Sequence, residues 1–457
     1  MSDRIIINPI TRISGFMEIQ AEVENGTIID AQTKGMMYRG FDKMLEGRNP
    51  FDAVYFTQRI CGICSIAHSV SSSLALEDAL GIIPSEQGRY LRSIVHGCEF
   101  LQNHIRHFFQ YTLPDYIKLP EDYPLFNTDV KDFRLPKERN DKIVKDYFES
   151  LEISKNAHEM SAVLGGKAPH LHGIFIGGIT TQATGDKIIK MKSLLNRIGT
   201  FISEKMIPDV YEISRYYPEY FKLGVSYSNF LTYGCFNNFK ELGTLYVDPL
   251  VYSNNEIAEF NPDKITEESE YAWFKNNEID TSKKQAYSWI RAPRYNNMPF
   301  EVGPLARLWL SGEYTNGASA MDRTIARALE TKKIVSIINT LMDNVKPDVF
   351  LQSKYDLPST ASGKGLVDTT RGALGHWIEI EDKKISTYQI ITPSAWNLSS
   401  QSNNMLGTSE KALIGLQVKD IENPVEIGRI IRSFDPCVSC ATHVYSGGRH
   451  TEPTQIV

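Results

Sequence analysis

The run Asp435-Pro436-Cys437-Val438-Ser439-Cys440-Ala441-Thr442-His443 sets a CxxC pair, a later His and an earlier Asp within nine positions. A second pair, Cys61-Gly62-Ile63-Cys64, lies near the other end and is followed by His68. Thiolate and imidazole at such spacing ligate soft or borderline metals or carry redox chemistry. Two CxxC pairs most often make a structural zinc site, yet zinc ribbons keep their pairs close in sequence. Here more than 370 residues separate them, so a shared metal would clamp a whole domain. Two separate thiol pairs, or thioredoxin-like redox motifs, are the alternatives on spacing. Thiolates also suit nickel or iron, and four of them hold more than one metal if some bridge. The other two cysteines, Cys98 and Cys235, are single and distant and read as buried core.

Positioning such a site takes many elements. The chain has 457 residues, 42% hydrophobic and 23% charged, an ordinary globular balance. A net charge of -6 gives no reason to expect nucleic acid or an anionic membrane as partner. No apolar run approaches the roughly 20 residues of a membrane span. The start, MSDRIIINPITRISG, shows no basic segment followed by an apolar one, so no signal peptide is predicted. Four of six cysteines in CxxC pairs argue for metal or redox chemistry in a reducing compartment, hence a cytoplasmic location. Export with a signal-bearing partner is the alternative.

Strands are predicted over Arg4–Pro9, Phe16–Val23 and Thr27–Asp30, with Asn25-Gly26 as a two-residue hairpin turn. A short helix after Tyr38-Arg39-Gly40-Phe41-Asp42 breaks around Gly47–Pro50. Apolar spacing predicts helices over Ser65–Leu80, ended by Gly81 and Pro84, and Ser85–Tyr111, which carries His96, His104 and His107. Two more should span about 183–205 and 322–344. Residues 114–156 are charged and Pro-dotted, and read as an irregular surface excursion. Residues 224–300 read as a small β-rich elaboration with short runs such as Thr244–Asp248. The fold class expected is α+β, a mainly helical core with peripheral small sheets. Because the two CxxC pairs imply one closed unit, residues 1–457 are expected to form one domain.

The residues around the cysteines say more. Gln58-Arg59-Ile60-Cys61-Gly62-Ile63-Cys64-Ser65-Ile66-Ala67-His68 and Ser433-Phe434-Asp435-Pro436-Cys437-Val438-Ser439-Cys440-Ala441-Thr442-His443 resemble the two nickel-binding signatures of the nickel-iron hydrogenase large subunit. Tyr287–Leu308, Arg371–Trp377, Tyr388–Asn397, Ala412–Gly415 and Glu422-Asn423-Pro424 are similar to further family segments in the same order. The resemblance implies that Cys61, Cys64, Cys437 and Cys440 hold nickel. Cys64 and Cys440 would bridge to an iron carrying carbon monoxide and cyanide. Cys437 would receive the proton of heterolytic H2 cleavage, and His68 would hydrogen-bond a bridging sulfur. Arg371 would sit over the open metal position with Asp435 beside it. Pro393 and Ser394 would line the pocket of the diatomic ligands. Asp42, a main-chain carbonyl near Ile390, and His443 would hold Mg2+. Too few cysteines remain for an iron–sulfur cluster, so electrons would leave through an iron–sulfur small subunit and further electron-transfer subunits.

Read alone, these residues have plainer meanings: a core helix His, a surface Arg, an Asp in a turn before Pro. Departures from the family pattern also stand out. Ser14 replaces a Glu that usually starts the outgoing proton route. Glu18, on the same strand face, is roughly 13 Å away at about 3.3 Å per residue, too far to substitute directly. Asp42 stands where Glu is usual, Asn103 where a canopy Asp is frequent, and Thr369-Thr370 where Ala-Pro is usual. The competing functions are an H2 sensor with the same site, a metal-free quinone-oxidoreductase subunit of the same superfamily, and an unrelated zinc protein. His443-Val444 matches the junction at which relatives lose a C-terminal extension. The polar stretch 444–457 is expected here to be retained and to leave along the surface.

Overall fold

The computed structural model describes residues 3–120, 132–276, 278–346 and 355–441. Strands β1 (Asp3–Ile7), β2 (Met17–Glu24) and β3 (Thr27–Gly35) form an antiparallel sheet in that order. Alternation orients β2: Ile19, Ala21 and Val23 are buried while Glu22 and Glu24 face solvent. Asn25 and Gly26 both take left-handed backbone, φ 51° and 77°, which gives the predicted tight turn.

Helices α1 (Phe41–Leu45) and α2 (Asp52–Thr57) lead into α3 (Ser65–Leu80), which Gly81 stops at φ 64°. Ser85 Oγ accepts from Gly88 N at 3.0 Å and so caps α4 (Glu86–Arg106), which runs on through a wider turn, His107–Thr112. The surface excursion expected over 114–156 is corrected. Pro114, Asp115, Tyr116 and Ile117 are buried, and Lys137–Gly165 is the long helix α5. Ile143, Tyr147, Ser150, Ser154, Ala157, Met160 and Leu164 follow helical spacing and are buried there. Dense charge on the opposite face hid that stripe. Residues 121–131 of the expected excursion lie outside the described residues.

After the short hairpin β4 (Ile174–Phe175) and β5 (Gly178–Ile179), α6 (Gly185–Phe201) continues through Ile202–Met206 into α7 (Ile207–Tyr216). The elaboration holds β6 (Phe230–Thr232), β7 (Leu250–Ser253), β8 (Glu256–Glu259), β9 (Ile265–Glu268), β10 (Phe274–Lys275), β11 (Glu278–Ile279) and β12 (Ala292–Tyr295). These pair as β6-β7-β8, β12-β9 and β10-β11. Thr244–Asp248 is not a strand, another correction. Thr244 Oγ1 donates to Asp248 at 2.7 Å and closes a tight loop, so only Val247 forms a single bridge, to Cys235.

Helix α8 (Pro304–Leu310) precedes α9 (Ala320–Asp343), which opens on a capping box between Ser319 and Asp322. The meander β13 (Thr360–Thr369), β14 (Gly372–Glu381) and β15 (Lys384–Ile391) follows. Then come α10 (Pro393–Leu398), α11 (Thr408–Leu413), α12 (Val425–Ser433) and α13 (Val438–Ala441). The fold is α+β, with a mainly helical core and small sheets. Strand β13 lies directly on the backbone of α3: a Cβ at Gly365 would stand 1.9 Å from Ser71 O. That close approach carries Arg371 and His376 to the helix that starts beside Cys64.

Candidate metal centre

Each CxxC pair is built at a helix start. Cys61 follows the 3-10 turn Gln58–Ile60 in extended backbone, and Cys64 is the N-cap of α3. Glu99 of α4 accepts from Ile66 N at 2.8 Å and Ala67 N at 2.9 Å, satisfying donors that a helix start leaves open. Burial pushes the Glu99 carboxyl up to about 8, against those two hydrogen bonds.

Cys437 immediately precedes α13 and Cys440 lies within its single turn, and the N-terminal segment lies across them. Ser14 N donates to Pro436 O at 3.1 Å and Ser14 O accepts from Val438 N at 2.7 Å. Next to it, a Cβ at Gly15 would meet Ser439 N at 2.5 Å, so the approach requires glycine. Arg39 Nη2 donates to Ser439 O at 2.6 Å and also to Ile60 O, tying the two loops together. Sequence reasoning missed Arg39 and Glu99; the only signal for Arg39 was its place in the Tyr38–Asp42 run.

The four sulfurs lie within 4.8 Å of one another, and all four cysteines are buried. Cys61 and Cys437 Sγ are 3.4 Å apart, Cys64 and Cys440 3.0 Å, Cys437 and Cys440 2.9 Å. Four thiolates so close repel strongly in a dry interior. Hydrogen bonds from its three sulfur neighbours hold the Cys61 thiol well below its ordinary range. Contacts with Cys437, Cys440 and Cys61 push the Cys64 thiol well above it, and burial, the largest cause, raises Cys440. Only a bound cation lets all four ionise together, and an all-sulfur set suits a soft, thiophilic metal.

Cys64, Cys437 and Cys440 line a cavity of about 10 Å³ together with His68, Arg371, Pro393 and Ser394. Arg371 Nη2 donates to Asn103 Oδ1 at 2.8 Å and lies 3.0 Å from Asp435 Oδ1; its Nε donates to Asp435 O at 3.0 Å. Nη1 has no hydrogen-bond partner although buried. Asn103 Nδ2 donates to Asp435 Oδ2 at 2.8 Å. Despite burial, the Arg371 guanidinium and neighbouring His107 and Arg327 keep the Asp435 carboxyl well below the usual range. Ser394 Oγ accepts from Cys437 N at 3.0 Å. The segment before Arg371 is held from behind: buried Arg307 pairs with Glu330 and Asp368 and donates to Thr369 O and Thr370 O.

Asp42 and Ile390 line one cavity of about 130 Å³ that also reaches Cys440. His443 and the stretch 444–457 lie outside the described residues. The Ser14 contacts named above are made by its main chain. Glu18 is engaged elsewhere, by Asn8 Nδ2 at 2.5 Å and Lys34 Nζ at 3.1 Å. Cys98 and Cys235 are buried, as expected of core residues.

The sequence model described as "Nickel-dependent hydrogenase" matches residues 39–122, 124–317 and 310–443. The periplasmic [NiFeSe] hydrogenase large subunit of Desulfomicrobium baculatum is 32% identical over 96% of this chain and 95% of its own. The hydrogenase-2 large chain of Escherichia coli (strain K12) is 28% identical, covering 97% and 98%. Among solved structures, the reduced Ni-Fe-Se hydrogenase from D. vulgaris Hildenborough superposes with TM-score 0.92 at 35% identity, over 97% of this chain and 100% of that one.

Proposed function

The chain belongs to the nickel-dependent hydrogenase family, and from that premise we propose how its residues split H2. It is the catalytic large subunit of a nickel-iron hydrogenase, an oxidoreductase acting on H2. One observation carries the site: sulfurs 376 residues apart in sequence converge beneath a buried guanidinium with one unpartnered nitrogen. The donor set fits the group. Cys61, Cys64, Cys437 and Cys440 would hold nickel, with Cys64 and Cys440 shared with an iron that carries carbon monoxide and cyanide. When bound, this centre supplies the open coordination position and redox chemistry for heterolytic cleavage of H2. Some relatives carry selenium in their names; here all four ligands are Cys, so sulfur alone is proposed.

Cys437 Sγ would take the proton, and Arg371, held by Asp435, would set a positive charge in the cavity it shares with the cysteines. The Ser394 hydroxyl, which accepts from Cys437 N, keeps its own proton for a cyanide nitrogen. Pro393 shapes the wall of the same cavity. Asp42 and the main chain near Ile390 would bind Mg2+, a reading supported by the cavity they both line; His443, the third expected ligand, lies outside the described residues. Electrons pass to an iron–sulfur small subunit. Among the described residues no helix is long and apolar enough to cross a membrane. For the compartment we keep the cytoplasm, with export beside a signal-bearing partner as the alternative. Residues 444–457 are retained in this reading, and a chain ending at His443 by intact mass of the active enzyme would overturn it.

Metal analysis and Cys64→Ser test the reading together. Nickel and iron near one each per chain are expected, falling to background in Cys64→Ser, because a hydroxyl is too hard a ligand to bridge. Zinc alone in the native protein, or full nickel in the variant, overturns the site.

A further inference from the structure

His68 stands on α3 one turn beyond Cys64, and its Nδ1 lies 3.1 Å from His376 Nε2 on β14. His376 Nδ1 lies 2.8 Å from Tyr388 Oη on β15. Tyr388 Oη in turn is 3.1 Å from Ser72 Oγ, one turn along α3 from His68. All four side chains are buried. The contacts close a loop from helix to sheet and back to the same helix. With Nδ1 engaged by His376, any hydrogen bond from His68 into the cysteine cavity must use Nε2.

We propose that His376, held by Tyr388 and Ser72, sets the tautomer of His68, so that Nε2 carries the proton and donates it toward the thiolates. This rests on the nickel-iron reading of the cavity. A neutral imidazole has one N–H. His376 is neutral, because burial pushes its pKa well below the ordinary histidine range. Tyr388 keeps its proton, since burial pushes its pKa up. A hydroxyl rotates to suit its neighbours. Tyr388 Oη can donate to Ser72 Oγ, or, with both hydroxyls turned, to His376 Nδ1, the shorter contact, while Ser72 donates back to Tyr388 Oη; in this second arrangement His376 Nδ1 accepts. The His376 proton then sits on Nε2 and faces His68 Nδ1, which must accept. Nε2 of His68 is left protonated. The opposite polarity would point a lone pair at anionic sulfur in a water-poor cavity, where such repulsion is strong.

His376 and Tyr388 are therefore positioning residues. A thiolate that accepts a hydrogen bond gives less electron density to its metal, so the stretch of an iron-bound carbon monoxide reports the bond directly. Infrared spectra of the purified heterodimer test it. In His376→Leu the carbon monoxide band should move to lower wavenumber at native nickel and iron content. H2 oxidation should fall about tenfold, the order of one ordinary hydrogen bond. His376→Gln, whose amide offers both a donor and an acceptor, should return the band toward its native place. Tyr388→Phe removes a single oxygen and gives the same reading if His376→Leu fails to fold. A band unmoved by these variants but moved by His68→Gln overturns the inference, as does failure of Gln to restore it. If the native protein shows no carbon monoxide or cyanide bands, the nickel-iron reading itself falls, a distinct result.

Discussion

At residue scale, the cavity depends on side chains whose burial is costly unless they face a partner. Arg371 is 3% exposed, and three of its contacts go to Asn103 and Asp435 while Nη1 has none. A buried unpaired donor carries a desolvation penalty unless a ligand meets it. Lysine keeps the charge and loses the planar fork. Arg371→Lys should therefore leave nickel and iron near native and lower turnover roughly 10²- to 10³-fold, the worth of a preorganised donor at a reacting centre; unchanged H2 oxidation refutes the role. Ser14 gives a second test. A serine hydroxyl does not ionise near neutral pH, so it can pass a proton only by relay. Its main-chain contacts to Pro436 and Val438 survive truncation. Ser14→Ala should slow turnover with metal content intact, and Ser14→Glu should be tolerated. Native turnover in Ser14→Ala places the proton route elsewhere.

At element scale, α3 and the meander β13–β15 do the positioning. The helix presents Cys64 at its start and His68 one turn on, while β14 brings His376 against it. Gly363 and Gly365 let strand backbone rest on helix backbone; a Cβ at Gly363 would stand 2.3 Å from Ala75 O. Neither neighbour can step aside, because both are main chain. Gly365→Ala should cost roughly 3 kcal/mol or more, at the upper end of overpacking penalties, with nickel content falling as the sheet lifts from α3. Urea midpoints and metal content measure it, and a shift near zero would show that the sheet does not hold the site. The meander was hard to read from sequence for the same reason: glycines where strand side chains would be expected left no clean alternation. Helices such as α9 were legible from their apolar residues, whereas the stripe of α5 was masked by charge.

At the scale of the whole molecule, burial itself sets the response to pH. His96 and His107 are both buried and neutral, their pKa values lowered to about 3, chiefly by burial. In the unfolded chain they protonate near 6.5. A depressed folded value means the unfolded chain binds more protons, so stability is present above about 6.5 and is lost as pH falls toward 3. The slope is at most about 1.4 kcal/mol per pH unit per histidine. Urea midpoints at pH 7 and 5.5 should differ, and His96→Gln should remove part of the difference; an unchanged slope in that variant excludes His96 as a cause. The family of this protein, its nickel-iron ligand quartet as a hypothesis, and most helices were legible along the chain, because ligands and apolar stripes are written in local residue types and spacing. Partners across space were not. That Arg39 ties both cysteine loops, that Glu99 caps the helix beside Cys64, and that Tyr388 reaches His68 through His376 all depend on which main chains approach closely. Those approaches are settled by packing between distant segments, and only the tertiary structure brings them together.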